Sequence, residues 1–297
     1  MSDITLTSAT RTNLLSLQRT TRLIGRTQER LATGLKVNSA LDDALSFFKA
    51  RNLNSRASDL MSIKDNITDG INVIRASIQG LESVEQVLKQ MKALGQSAIS
   101  SPESSTRAKL ASQFNELRSQ VDNLMEDANF NGVNLLKNSV STFRPGSDTL
   151  TVKFNERTEP TAINQLVVSG LSTTDFNTIM ARSALVTGTP GATTVWGQTG
   201  TAAVTAINRA LRAIDSALVN VRLSAQTFGT RSALLEIRRS FTENIVNTLR
   251  GGAADLVNAD LNEESANLLS LQTRQQLGTV SLSIAQQSEQ AILRLFG

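Results

Sequence analysis

The sequence predicts a mainly α fold: a long antiparallel helical rod with terminal helices, a three-helix bundle and a small β-hairpin region. Three observations carry this. Apolar residues recur at steps of three and four through most of the chain. Only four prolines occur in 297 residues, so long uninterrupted helices are permitted. The rhythm changes only between about 140 and 200, where Thr, Ser and Gly dominate.

The N-terminal segment places Leu14, Leu17, Ile24, Leu31 and Leu35 in one stripe. Leu53, Ala57, Leu60, Ile67, Ile71, Ile74, Ile78, Leu81 and Leu88 then predict one helix from about 43 to 98. It would be about 80 Å long at 1.5 Å per residue. Ser101-Pro102-Glu103 predicts a stop and a fresh start, with a capping Ser, Pro at the first helical position and an acid in the first turn. Leu110, Phe114, Leu117, Val121, Leu124 and Ala128 continue the rhythm over 104–129. Asn129-Phe130-Asn131-Gly132 ends it with residues that tolerate positive φ.

Leu150, Val152 and Phe154 alternate with polar residues and predict a half-buried strand. Ile163 with Leu166-Val167-Val168 predicts a second, and Ala184-Leu185-Val186 a third. Helix returns over 202–250, where Val204, Ile207, Leu211, Ile214, Leu218, Val221, Phe228, Leu235, Val246 and Leu249 keep heptad spacing. Gly251-Gly252 is expected to break that helix or form a joint. The last segment, from Leu256, aligns Leu261, Leu268, Leu271, Leu282, Ile292 and Phe296. Each terminal stripe needs a cover, either the other terminus or another copy, because an isolated amphipathic helix does not hold its shape in water.

Composition excludes much chemistry. With no Cys and no His, the chain has no disulfide, no thiolate or imidazole metal site, and no triad built on His. A formal charge of +4 is too mild to mark a nucleic-acid footprint, so no nucleic-acid partner is expected. No run approaches the roughly 20 apolar residues of a membrane helix, and residues 1–17 lack the pattern of a cleavable secretory signal. Asp65 and Asp69-Gly70 have the wrong spacing for a calcium loop and read as a solvated helix face. Asp42-Asp43 reads as acids favouring a helix start. No cofactor and no enzyme activity are expected, since no acid–base or nucleophile set converges.

Arg11, Arg19, Arg22, Arg26 and Arg30 gather opposite the Leu stripe. They read as a solvated polar face, or as partners for Asp255, Asp260, Glu263 and Glu264 of neighbouring subunits. A duplex-binding helix could also carry such a face, although no docking motif surrounds it.

Three stretches resemble bacterial flagellin. Arg30-Leu31-Ala32-Thr33-Gly34-Leu35-Lys36-Val37-Asn38-Ser39-Ala40, followed by Asp42-Asp43-Ala44, is similar to the E-R-L-S-S-G-L-R-I-N-S-A-x-D-D-A signature. Asp69-Gly70-Ile71 and Phe130-Asn131-Gly132-Val133-Asn134-Leu135-Leu136 resemble its D-G-I and F-N-G-V-K-L-L. Gln275-Gln276-Leu277-Gly278 through Ala285-Gln286-Gln287 to Ile292-Leu293-Arg294-Leu295-Phe296 resembles the family's tail.

The resemblance implies a filament protomer used as a propeller for motility, with the hook–filament junction protein as the alternative. It implies that 1–42 and 255–297 are the two halves of a filament-core coiled coil. Residues 43–139 and 201–254 would be the helices of the rod domain, and 140–200 its β-hairpin insertion, with little or no outer domain. The core contacts would fall to Leu14, Leu17, Ile24, Leu31, Leu35, Leu261, Leu268, Leu271, Leu282, Ile292 and Phe296. Arg19, Arg22, Arg26 and Arg30 are the candidate inter-subunit salt-bridge residues. The implied partners are other copies, junction and cap proteins, an export chaperone and the type III export apparatus. The implied location is extracellular, reached without a cleavable signal. Members recognised by a vertebrate Toll-like receptor carry Q-R-V-R-E-L-A-V in the first long helix. Here Gln90 and Ala93 replace its first Arg and its Glu while Leu94 remains, so weak or absent activation is implied.

Overall fold

The computed structural model describes residues 8–136, 149–156, 164–172, 195–198 and 200–296, with the side chains of 9, 289 and 292–296 left aside. Its elements are α1 (Ser8–Thr33), α2 (Ala44–Ser100), α3 (Ser104–Asp127), β1 (Thr149–Lys153), β2 (Gln165–Ser169), α4 (Thr201–Val257) and α5 (Leu261–Phe296). The class is mainly α with a two-stranded antiparallel sheet, in which Thr149 faces Ser169 and Lys153 faces Gln165. The segments Ile163 and Ala184-Leu185-Val186, read as strand from the sequence, lie outside the described residues.

The chain forms two compact units, 58–246 and 1–57 with 247–297. The first has a dry core. Ile67, Ile74, Leu81, Leu88 and Met91 of α2 are fully buried with Phe114 and Met125 of α3 and Ile207 and Ile214 of α4. Helices α2 and α4 run antiparallel there, because Glu85 meets Arg222 while Lys92 meets Asp215. The hairpin lies on this bundle, with Val152 and Val168 buried. A Cβ at Gly70 would sit 2.6 Å from the Val152 side chain, so only glycine admits the hairpin at that point of α2.

Two element ends differ from the sequence reading. Helix α4 runs through Gly251-Gly252 to Val257. An isolated glycine pair costs helix stability without forcing an end, and here the chain stops only where residues 258–260 leave the helical path. Pro102 also stands outside α3, whose N-cap is Glu103 and makes no side-chain capping bond. Arg107 takes over the tying of that turn. Its guanidinium donates to the carbonyls of Ser101, Pro102, Trp196 and Gln198 at 2.8–3.0 Å. Ser104 Oγ donates to the Gly197 carbonyl, and Trp196 packs against Phe114 with ring centroids 5.1 Å apart.

Candidate functional site

In the unit formed by both ends of the chain, the first signature stretch closes a clasp. Helix α1 ends when Gly34 donates to the Arg30 carbonyl at 2.8 Å and adopts φ 72°, a left-handed cap open to glycine. The next residues pair with the break between α4 and α5. Lys36 N donates to the Val257 carbonyl at 2.8 Å, and Ala259 N to the Gly34 carbonyl at 2.9 Å. Leu35 and Asn258 form an antiparallel bridge between them. Arg30 reaches Glu264 at 2.8 Å, with only 10% of the Glu264 side chain exposed.

Two aspartates hold the rest of the loop. Asp42 Oδ2 accepts from Ser39 N, Asn38 N and Ser39 Oγ at 3.0–3.2 Å. The Ser39 amide is the main reason its carboxyl lies below the usual range, followed by the Ser39 hydroxyl, the Asn38 amide and the charge of Arg26. Asp43 caps α2 by accepting from Ser46 Oγ and Ser46 N, which also lowers its pKa. The helix-start reading of these two acids thus describes Asp43, whereas Asp42 organises the loop before the helix. Asp260 caps α5 in the same way, accepting from Asn262 N at 2.9 Å.

Helices α1 and α5 pack on each other along an antiparallel seam. Thr10, Asn13, Leu17, Thr20, Ile24, Thr27, Arg30 and Leu31 are the less exposed residues of α1. Glu264, Leu268, Leu271, Gln275, Gly278, Leu282 and Ala285 are those of α5, at alternating steps of four and three. A Cβ on Gly278 would stand 3.0 Å from the Leu17 side chain, which explains the glycine of the tail motif. The seam is half-exposed and polar for a coiled coil. Among the described side chains of α1 and α5, the only buried residues are Thr10, Thr27 and Glu264.

The residues expected to carry assembly therefore divide. Leu17, Ile24, Leu31, Leu268, Leu271 and Leu282 lie half-buried in the intrachain seam, whereas Leu14 and Leu261 are exposed. Leu35 belongs to the clasp. The side chains of Ile292 and Phe296 lie outside the described set. Arg30 pairs with Glu264 of its own chain rather than standing free for a neighbour. Arg19, Arg22 and Arg26 line an open groove of about 540 Å³ with Leu23. Gln90 and Ala93 are exposed on α2 and Leu94 is half-buried.

The sequence reading missed a second apolar face on α5. Leu269, Leu277, Val280 and Ile284 are 56–67% exposed and fall within about 80° of the helix circumference, opposite the seam. Its signal was present in the spacing, but two apolar faces on one helix cancel in a search for a single stripe.

Comparison with known proteins decides what this arrangement belongs to. Residues 4–141 match the bacterial flagellin N-terminal helical region, and residues 211–296 the C-terminal helical region. The chain belongs to the bacterial flagellin family. It is a structural subunit of the flagellar filament, the motility organelle that flagellins build by self-polymerisation. The Caulobacter vibrioides flagellin FljK is 32% identical over 95% of this chain and 94% of its own length. A Brucella melitensis flagellin is 26% identical over 100% of this chain and 99% of its own. A crystallised Bacillus cereus flagellin overlaps 60% of this chain and 88% of its own with a TM-score of 0.44 at 15% identity. The N-terminal region matched spans the 30–37 side of the clasp, Gly70 and the Phe130–Leu136 turn, and the C-terminal region spans the 257–264 side of the clasp. That turn carries positive φ at Asn131 and Gly132 and buries Leu135 and Leu136. Among the described residues, no helix is long and apolar enough to cross a membrane.

Proposed function

We propose that α1 and α5 are the self-assembly element of the filament, with 1–42 and 255–297 as its two halves and 43–254 as the rod domain. One observation carries this: the terminal pair buries no apolar side chain among those described, yet it displays a second apolar face. Covering a large aliphatic side chain fully is worth roughly 1.5–3 kcal/mol. Ordering the helices costs conformational entropy that this thin seam offsets poorly on its own. Packing between copies supplies the missing burial. The core contacts then fall to Leu14 and Leu261, the Leu269–Ile284 face and the tail through Ile292 and Phe296. Leu17, Ile24, Leu31, Leu268, Leu271 and Leu282 hold the pair together. Arg19, Arg22 and Arg26 are the residues available to acids of neighbouring subunits.

The reading extends to partners at each end of the polymer, the junction and cap proteins, and to an export chaperone and type III apparatus that deliver the chain to the cell exterior. A chain without cysteine suits passage through a narrow channel, because no disulfide can form to block it. Gln90 and Ala93 make it a weak ligand of the Toll-like flagellin receptor. A reporter-cell response equal to that of a flagellin with the full motif would overturn that point. The deciding experiment for assembly removes residues 256–297 and seeds the product with sheared filaments. The truncated chain is expected to stay helical and soluble without elongating, and intact filaments in negative stain would sink the proposal.

A further inference from the structure

Two dipeptides of the chain can react with themselves, Asp69-Gly70 and Asn131-Gly132. In each, the glycine amide nitrogen can attack the carbonyl carbon of the preceding side chain and close a five-membered ring. The fold treats the two pairs oppositely. Asp69-Gly70 lies inside α2 with Gly70 buried, and its amide belongs to the hydrogen-bond ladder of the helix. A Cβ there would meet the Val152 side chain at 2.6 Å, so the backbone has no room to swing.

Asn131-Gly132 is the tip of a two-residue hairpin. Phe130 and Val133 exchange both backbone bonds across it, at 3.0 and 3.1 Å. The φ angles are 51° at Asn131 and 78° at Gly132, the positive pair that such a turn requires. Both residues are exposed. Among the described residues, neither the Asn131 carboxamide nor the Gly132 amide nitrogen has a hydrogen-bond partner. No described atom beyond the adjoining residues lies within 4 Å of the place a Cβ would take at Gly132. The nucleophile is therefore unshielded. Only the two Phe130–Val133 bonds resist the rotation about ψ of Asn131 that brings it onto Cγ, and so small a paired element opens locally at little cost.

We propose that Asn131 is a self-modification site, at which the folded chain loses ammonia without an enzyme. Gly132 N bonds to Cγ as the Cγ–Nδ2 bond breaks, and the amide proton leaves with the departing ammonia. Water then opens the ring at either carbonyl, leaving an aspartyl or an isoaspartyl residue at position 131. Both products add a negative charge, and the isoaspartyl form also adds a methylene to the main chain at the tip. That displaces what the turn returns to the bundle. The Asn134 carboxamide donates to the Met125 and Glu126 carbonyls at the end of α3, at 2.9 and 3.0 Å, and Leu135 and Leu136 are fully buried. The modification therefore marks old subunits and loosens the end of α3. It does not rest on the assembly reading.

The test uses the wild-type full-length chain, held folded in mildly alkaline buffer made with heavy-oxygen water and mapped at intervals by peptide mass spectrometry. Heavy oxygen and isoaspartate, the latter read with an isoaspartyl methyltransferase, are expected at 131 before any other described asparagine and before Asp69. Asn38 is the internal control, because its carboxamide is held by Glu29 Oε1 at 3.3 Å. Label that reaches 131 no sooner than Asn38 overturns the inference. Label that reaches 131 only once denaturant is added overturns it as well, because the folded turn is then closed to the reaction. Asn131→Gln is expected to lose the signal from 130–136 with unchanged circular dichroism, since glutamine must close a larger ring. A signal retained there overturns the assignment, because Asn134 is then its source. The isoaspartyl fraction, separated by chromatography, is expected to unfold at a lower denaturant concentration than the unmodified chain. Equal midpoints overturn the loosening of α3.

Discussion

The 58–246 unit and the terminal pair spend their apolar residues differently. In the first, Ile67, Ile74, Leu81 and Leu88 are sealed against two further helices. In the second, the described apolar side chains of α1 and α5 are half-buried at best, and Thr10, Thr27 and Glu264 occupy the buried places among those described. A dry core of interlocking side chains stabilises a monomer by itself. A half-exposed seam of Leu, Thr, Gln and Gly, with further leucines facing outward, leaves much of its stabilisation to be made elsewhere. The same helical periodicity thus serves one unit with a sealed apolar core and one pair of helices whose described apolar side chains stay half-buried or exposed.

The sharpest way to break this comparison is one leucine from each region. Leu81→Ala in the sealed core is expected to cost about 2–5 kcal/mol in chemical denaturation. Leu271→Ala in the open seam should move monomer stability by less than about 1 kcal/mol while lowering the yield of seeded filaments. Equal monomer losses would mean that the terminal pair is a core in its own right.

A middle-sized effect belongs to Arg107, a charged residue buried in the 58–246 unit. Arg107→Gln leaves carbonyls of Ser101, Pro102, Trp196 and Gln198 short of donors, at about 1–3 kcal/mol for a buried group left unsatisfied. Trp196, the sole tryptophan, is 4% exposed, so its emission should shift to the red. An unshifted emission maximum would mean that Phe114 alone holds the indole.

The smallest effect is electrostatic and sits in the clasp. Asp42 has a pKa lowered from its ordinary 3.8, so its folded-state interactions are fully present above that value and fade as pH falls through the lower one. Acidification below about 3.8 should therefore speed exchange of the Ser39 amide. Asp42→Asn should remove that acid dependence, as read by nuclear magnetic resonance. Identical acid profiles in both chains would show that the loop does not depend on the Asp42 charge.

Much of this was legible in sequence because long helices repeat one rule many times. The limits of α2, α3 and the two strands fall within a few residues of the expected ones. The glycine pair 251–252 misled because glycine weakens a helix without deciding where it ends. That decision lay in backbone bonds from Lys36 and Val37 to Val257, a pairing remote in sequence. The intrachain partner of Arg30 was hidden for the same reason. The exposed face of α5 escaped because one helix with two apolar faces shows weak periodicity.

The clasp has one further consequence. A seam lined by Thr20, Thr27, Gln275 and Gly278 selects its own register weakly, since small and polar residues tolerate sliding. Each residue of slip would shift α5 by about 1.5 Å and turn it by 100°. In a helical lattice such an offset would recur at every subunit and bend the tube away from its pitch. The bridge between Leu35 and Asn258, with Arg30 on Glu264 beside it, acts as an indexing pin. It sets the zero of the scale against which every outward-facing leucine is counted.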